Sequence, residues 1–403
     1  MIFALRLSLG IVVLTACEKP PAATLTPTVP MLTALGRQLF FDSTLSVSGR
    51  MSCATCHNPQ FGWGPANALP VQPGGPDNIA PGVRAVLSLG YAQDTHPFDE
   101  HFREDEGENR DDQGPAGGRM WDGRARSAYE QAALPLLSSF EMANPNRAAV
   151  LARLRASSLA RAFREAFGAR VLDDSLAAWE GLLSALESFQ QSPDEFFPYT
   201  SKYDAFLRGQ AVLSRRERRG LDLFNDPAKG NCAACHPSAL RGGVFPQFTD
   251  RGLIALGVPR NPRIAANADL GFFDLGLCGP VRTDLADRTE YCGLFKTPTL
   301  RNVARRQVFF HNGVFDTLEQ VLRFYAQRDV RPRQFYSSDK SGRVRKYDDL
   351  PSAFWGNVNV EPPFDRRPGQ RPAFSDAEAR DIIAFLRTLN DGYAKPTRAG
   401  ARQ

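Results

Sequence analysis

Apolar residues return at helical spacing between residues 146 and 190, through Leu151, Leu154, Phe163, Phe167 and Leu176 to Leu186. That periodicity predicts helix over this stretch. Ser192-Pro193 ends it, because the residue before a proline is driven out of helical backbone. A second stripe, Ile382, Ile383, Phe385, Leu386 and Leu389, predicts a helix over 376–389. Two shorter amphipathic segments share a local sequence, Gly36-Arg-Gln-Leu-Phe40-Phe41-Asp42 and Gly220-Leu-Asp-Leu-Phe224-Asn225-Asp226. Ser214 is placed to cap the second segment, with Glu217 three residues on, the pattern of a capping box. Alternating strand patterns are few. The Gly- and Pro-rich segments 61–82 and 241–281 read as loops, and the acidic stretch 99–112 as a solvated loop. The expected fold is mostly α, with long loops and a short internal repeat.

Each repeat leads into the same pentapeptide. Cys53-Ala-Thr-Cys56-His57 and Cys232-Ala-Ala-Cys235-His236 both have the spacing that attaches a c-type haem. Two thiols form thioethers to the vinyl groups, and the adjacent histidine becomes the proximal iron ligand. One copy could be a redox dithiol. Two copies, each ending in histidine, point to two covalently bound c-type haems in two cytochrome c-like domains, 31–205 and 206–395, with 396–403 as a tail.

The 403 residues are 42% hydrophobic, enough for two ordinary cores. The formal charge of +5 would be brought close to neutrality by four haem propionates, so it argues for no acidic partner. Basic residues are spread out and form no stripe with aromatics, which speaks against nucleic acid. Residues 2–16 are apolar with one early Arg6, too short to span a membrane and suited to a signal peptide. The run Leu14-Thr15-Ala16-Cys17 resembles a bacterial lipobox, which implies cleavage before Cys17 and a lipid anchor there. A plain secretory signal is the other reading. Residues 18–30, rich in Pro, Thr and Ala, form a tether. Either route exports the chain, and the expected location is the periplasm of a Gram-negative bacterium. Cys278 and Cys292 remain, and in an oxidising compartment a disulfide is favoured over two buried thiols.

The opposite faces of the two irons decide the chemistry. Two strong protein ligands make an electron carrier, whereas an open face can bind peroxide. The five methionines stand at positions 1, 31, 51, 120 and 142, so the second domain has none. Its only histidines are His236 and His311. A His/Met haem built within that domain is excluded. His311, a tyrosine, an open face or a ligand from the first domain remain.

Further motifs resemble the bacterial dihaem cytochrome c peroxidase and MauG family over residues 31–390. In the first domain these are Trp121-Asp122-Gly123-Arg124-Ala125, Glu130-Gln131-Ala132 and Phe140-Glu141-Met142-Ala143-Asn144, with Trp, Gln and Glu at intervals of ten. In the second they are Phe295-Lys296-Thr297-Pro298-Thr299-Leu300-Arg301-Asn302-Val303, His311-Asn312-Gly313 and Thr317-Leu318-Glu319, leading to Phe324-Tyr325. The resemblance implies that Trp121 lies between the haems and relays charge. It places Gln131 and Glu141 in the distal pocket of the His57 haem, Glu141 as acid–base group and Gln131 orienting peroxide. It makes Tyr325, fourteen residues after His311, the sixth ligand of the second haem, where classical members have Met. Ordinary core roles for Trp121 and Tyr325, and a capping or ion-pair role for Glu141, are the competing readings.

The implied activity is reduction of hydrogen peroxide to water, with a small periplasmic redox protein as electron donor. A MauG-like alternative uses a high-valent dihaem state to oxidise residues of a partner protein. An electron carrier without catalysis is the reading from another class. The family's calcium ion is implied between the haems, but Arg306 and Val308 stand where the family has Thr and Pro, which puts that site in doubt. His96 and His101 are read as surface loop residues, so no reductive activation is expected.

Overall fold

The computed structural model describes residues 26–103 and 112–394. The leader with Cys17, most of the tether, the tail and most of the acidic stretch lie outside the described residues. Among the described residues, no helix is long and apolar enough to cross a membrane.

Helices dominate, and the strands among the described residues are two short antiparallel pairs, Pro73–Gly74 with Ala80–Pro81 and Leu253–Ile254 with Phe295–Lys296. The periodic stretch 146–190 divides into three helices, Arg147–Ala156, Ala160–Phe167 and Ser175–Gln190. Gly168, at φ 104°, breaks the run, and Asp174 restarts it by accepting from the amides of Leu176 and Ala177. Pro193 opens the next short helix instead of continuing the last. The C-terminal stripe forms Asp376–Arg387, with Ser375 and Glu378 as a capping box, and Ser214 and Glu217 cap Arg215–Asn225 in the same way.

The internal repeat is a packing device. Val29–Phe41 crosses Ser175–Gln190 at Gly36, where an added Cβ would lie 1.8 Å from the carbonyl oxygen of Ala185 and 2.9 Å from Cβ of Phe189. Arg215–Asn225 crosses Asp376–Arg387 at Gly220, where a Cβ would lie 2.0 Å from the oxygen of Asp381 and 2.9 Å from Cβ of Phe385. Each crossing anchors its own apolar core. One holds Leu39, Phe40, Trp63, Phe163, Leu182, Phe189 and Phe196. The other holds Tyr203, Phe224, Phe248, Leu322, Ile382, Phe385 and Leu389. A third cluster, around Leu277, Phe324, Tyr336 and Leu350, packs the long loops of the second half, where the Cys278–Cys292 disulfide is formed.

Side chains from 305–307 join the halves by bonding carbonyls of the first: Arg305 to Gln60, Arg306 to Val86 and Gln307 to Ala66. Gly220→Ala should cost about 1–3 kcal/mol by forcing the two helices apart. Thermal unfolding of the purified variant checks this, and an unchanged midpoint would mean that the crossing is not close.

Candidate active site

A single cavity of about 450 Å³ runs between the halves and is lined by both pentapeptides. Cys53–Cys56 is one helical turn, with Ser52 and Thr55 forming a capping box, and His57 follows at its end. Its twin is the turn Cys232–Ala234, followed by Cys235 and His236. The four cysteines form no disulfide. The two histidines are held alike. His57 Nδ1 lies 3.1 Å from the carbonyl oxygen of Trp63, and His236 Nδ1 lies 2.7 Å from that of Phe248. With Nδ1 donating to the carbonyl, Nε2 is free for a metal. Burial pushes both imidazoles down to about 4, which keeps them neutral, as ligation requires.

Both carbonyls come from aromatic residues in left-handed backbone, Trp63 at φ 62° and Phe248 at φ 55°. Each also accepts one further amide, from Leu89 and Leu300 respectively. Trp63 is locked by stacking on Phe196 at 4.0 Å and by its indole N–H donating to the Glu195 carbonyl at 2.7 Å.

Around these matching halves the walls differ. Gln131 and Glu141 line the cavity together. Gln131 is 5% exposed, and its Oε1 finds no hydrogen-bond partner among the described residues. Burial raises the Glu141 carboxyl above the usual range, opposed by the Ser138 hydroxyl and Arg124. Glu141 is near enough to Cys53 and Cys56 to raise both thiols, after burial itself. Its backbone is pinned by the hairpin 73–81: Gly75 donates to its carbonyl at 2.9 Å, and a Cβ on Gly74 would lie 2.2 Å from the Phe140 oxygen.

Trp121 is buried at the junction. Its indole N–H donates to Ala85 at 2.7 Å, and its own carbonyl accepts the amide of Lys296 at 2.8 Å. His311 meets it edge-on at 6.4 Å and stacks on Phe295 at 3.5 Å. An ion network lies alongside, in which Arg84 bridges Asp122 and Asp274 at 2.6 Å each and Asp122 also holds Arg124.

Tyr325 lines the cavity, stacks on Phe364 at 5.3 Å, and its hydroxyl makes no hydrogen bond among the described residues. Burial raises its phenol, and Cys235 and Cys232 add to that, so it faces the second pentapeptide. His311 instead feels Asp274 and Arg84, and its Nε2 lies 3.9 Å from Asp349. The surroundings therefore favour Tyr325 over His311 as the group across from His236. His101 is exposed and paired with Asp112, while His96 is half-buried against Phe102 rather than at the surface; neither lines the cavity. Arg84, Arg124, Gln190 and Lys296 also line it, and sequence reasoning gave none of them a role. Gln190 could have been found only by knowing which helix face meets the cavity.

Two neutral imidazoles with free Nε2 atoms, two adjacent thiol pairs and an apolar chamber between them fit two haems. Fold and cavity thus define a dihaem protein built from two cytochrome c-like halves. A family model described as di-haem cytochrome c peroxidase matches residues 30–212. The chain is 34% identical over 382 residues to methylamine utilization protein MauG of Paracoccus denitrificans, covering 92% of this chain and 91% of that one. It is 29% identical to cytochrome c551 peroxidase of Nitrosomonas europaea, over 75% of each. The structure resembles the diheme peroxidase BthA of Burkholderia thailandensis with a TM-score of 0.79 and 38% identity, over 92% of this chain and 88% of that one. The chain belongs to the dihaem cytochrome c peroxidase and MauG family.

Replacing Tyr325 by Phe should convert the second haem from low spin to a five-coordinate or hydroxide-bound form. Optical and resonance Raman spectra of the ferric variant check this, and an unchanged low-spin spectrum would contradict the ligand assignment.

Proposed function

We propose that the protein is a dihaem peroxidase that reduces hydrogen peroxide to water at the haem held by His57, with Tyr325 ligating the other haem. The observation that carries this reading is that a carboxyl raised by burial, Glu141, and an amide oxygen with no partner among the described residues, that of Gln131, line the same cavity. Haem held by His57 and the Cys53–Cys56 pair would supply redox-active iron able to bind peroxide. The side chains handle protons and orientation. Glu141 would take the proton from one peroxide oxygen and give it to the other, which leaves as water when the O–O bond breaks; two electrons from the donor protein and two protons from solvent would carry the remaining oxygen to a second water. Gln131 can accept from, or donate to, the bound peroxide through its amide. Trp121 lies between the halves as the relay for charge. The pentapeptide thiols attach both haems by thioethers, and export of the chain, with a lipid anchor at Cys17 in the periplasm, goes with that attachment. The implied calcium would have to share the inter-domain wall with Arg306, which lines the cavity and donates to Val86.

Tyr325 favours a second reading. A tyrosinate is a hard anionic donor that lowers the reduction potential, the opposite of methionine. That makes the second haem a poor acceptor from a high-potential donor and a store of oxidising equivalents, as a MauG-like enzyme acting on a protein substrate needs. Rapid mixing of the fully ferric protein with peroxide separates the two: reaction without prior reduction points to the MauG-like branch.

Glu141→Gln should slow the peroxide reaction by about a hundredfold or more in stopped-flow measurements. Only the carboxylate form accepts a proton, so the wild-type rate should fall as pH drops through the raised Glu141 value, and this acid limb should vanish in the variant. An unaltered rate and pH profile would remove Glu141 from the mechanism.

A further inference from the structure

Buried cations in this protein are paired with carboxylates almost everywhere. Arg301 lies 2.7 Å from Asp204, Arg328 2.7 Å from Asp329, and Arg282 2.8 Å from Asp284. Arg84 has two such partners. A cluster on the cavity wall breaks the pattern. Arg119, Arg251 and Lys296 all line the cavity, and none has a carboxylate within ion-pair distance among the described residues. Arg119 is 7% exposed; it donates to the Ala92 carbonyl, and its Nε finds no partner. Arg251 bonds only neutral oxygens, those of Thr95 and Gln247. Among the described residues Lys296 has no side-chain hydrogen bond, and burial followed by repulsion from Arg251 and Arg119 pushes its ammonium down to about 7. Asp122, the carboxylate that acts on Lys296, is already shared by Arg84 and Arg124, while Asp94 and Asp250 act on Arg251 and Glu187 on Arg119 from beyond ion-pair distance.

Three like charges facing one chamber repel each other, and Arg119 is buried while Arg251 and Lys296 are half-buried. An anion in the finished protein would supply the direct counter-charge that the described residues do not. The neighbours say which anion. Arg251 is three residues past Phe248, whose carbonyl holds His236, and the amide of Asp250 donates to the Cys235 carbonyl at 2.9 Å. Lys296 is fixed from the other side by its backbone N–H, which donates to the Trp121 carbonyl at 2.8 Å.

We propose that Arg119, Arg251 and Lys296 form the seat for the propionate carboxylates of the haem held at His236, closing an ionic contact between the two domains through the cofactor itself. The seat rests on the two-haem reading above. The cluster sets the charge near that haem. Removing one cation favours the ferric state, and so lowers the reduction potential.

The test is redox titration of the assembled dihaem protein, with haem content first checked by mass spectrometry. Lys296→Met should carry both haems and shift the oxidation equilibrium of the second haem at least tenfold, about 59 mV for one electron. Lys296→Arg keeps the charge and should stay within threefold of wild type. A Met variant with two haems and an unchanged potential would overturn the proposal, as would an Arg variant shifted as far as the Met variant. Inorganic phosphate added to the wild type should leave the potential unmoved; a phosphate-dependent shift would show a seat open to free anions and overturn the assignment to haem. A wild-type chain without two haems would defeat the underlying reading instead.

Discussion

In each domain one backbone carbonyl fixes the histidine that follows the paired cysteines, and the rest of the site is arranged around that bond. The carbonyls of Trp63 and Phe248 can reach His57 and His236 because both aromatic residues sit in left-handed backbone, at φ 62° and 55°. That conformation costs a non-glycine residue about 1–3 kcal/mol, and it survives only where the surroundings over-determine it. Here they do. Trp63 is clamped between Phe196 and the Glu195 carbonyl, and Phe248 is fully buried among Tyr203, Phe224 and Phe385. The helix crossings at Gly36 and Gly220 bring those aromatic partners into place, so the repeated glycine and the repeated carbonyl belong to one duplicated device.

The duplication stops at the opposite walls. Beside the first pentapeptide stands Glu141, and Gln131, whose Oε1 has no partner among the described residues, lines the same cavity. Around His236 it presents the phenol of Tyr325 in an aromatic setting of Phe310 and Phe364. Between them stand Trp121 and the Arg84 network, which ties Asp122 of the first half to Asp274 of the second. On the proposed reading one half handles protons and the other holds charge, and membership of a family containing both peroxidases and MauG accords with that division.

Much of this was legible in the sequence. Helical periodicity located the core helices, and Cys spacing located both pentapeptides, because both signals are local. The breaks at 157–159 and 168–174 turned one expected helical stretch into three helices, since periodicity alone does not register where the backbone must turn, whereas the end at Ser192-Pro193 falls where the sequence put it. The carbonyls of Trp63 and Phe248 were invisible, as every residue has a carbonyl and only backbone geometry singles these out. The cations on the cavity wall were equally hidden. Lys296 sits in a motif that sequence reading took for family resemblance, yet its isolation from carboxylates depends on partners far away along the chain. His96, read as a surface loop residue, is half-buried on its loop by stacking on Phe102.

The central claim is that two matching attachment motifs serve two unequal irons. Electron paramagnetic resonance of the fully ferric wild-type protein tests it most directly. The account predicts one high-spin signal from the His57 haem and one low-spin signal from the His/Tyr haem, in equal amounts. Two low-spin signals, with neither disturbed by peroxide, would contradict it and leave an electron carrier.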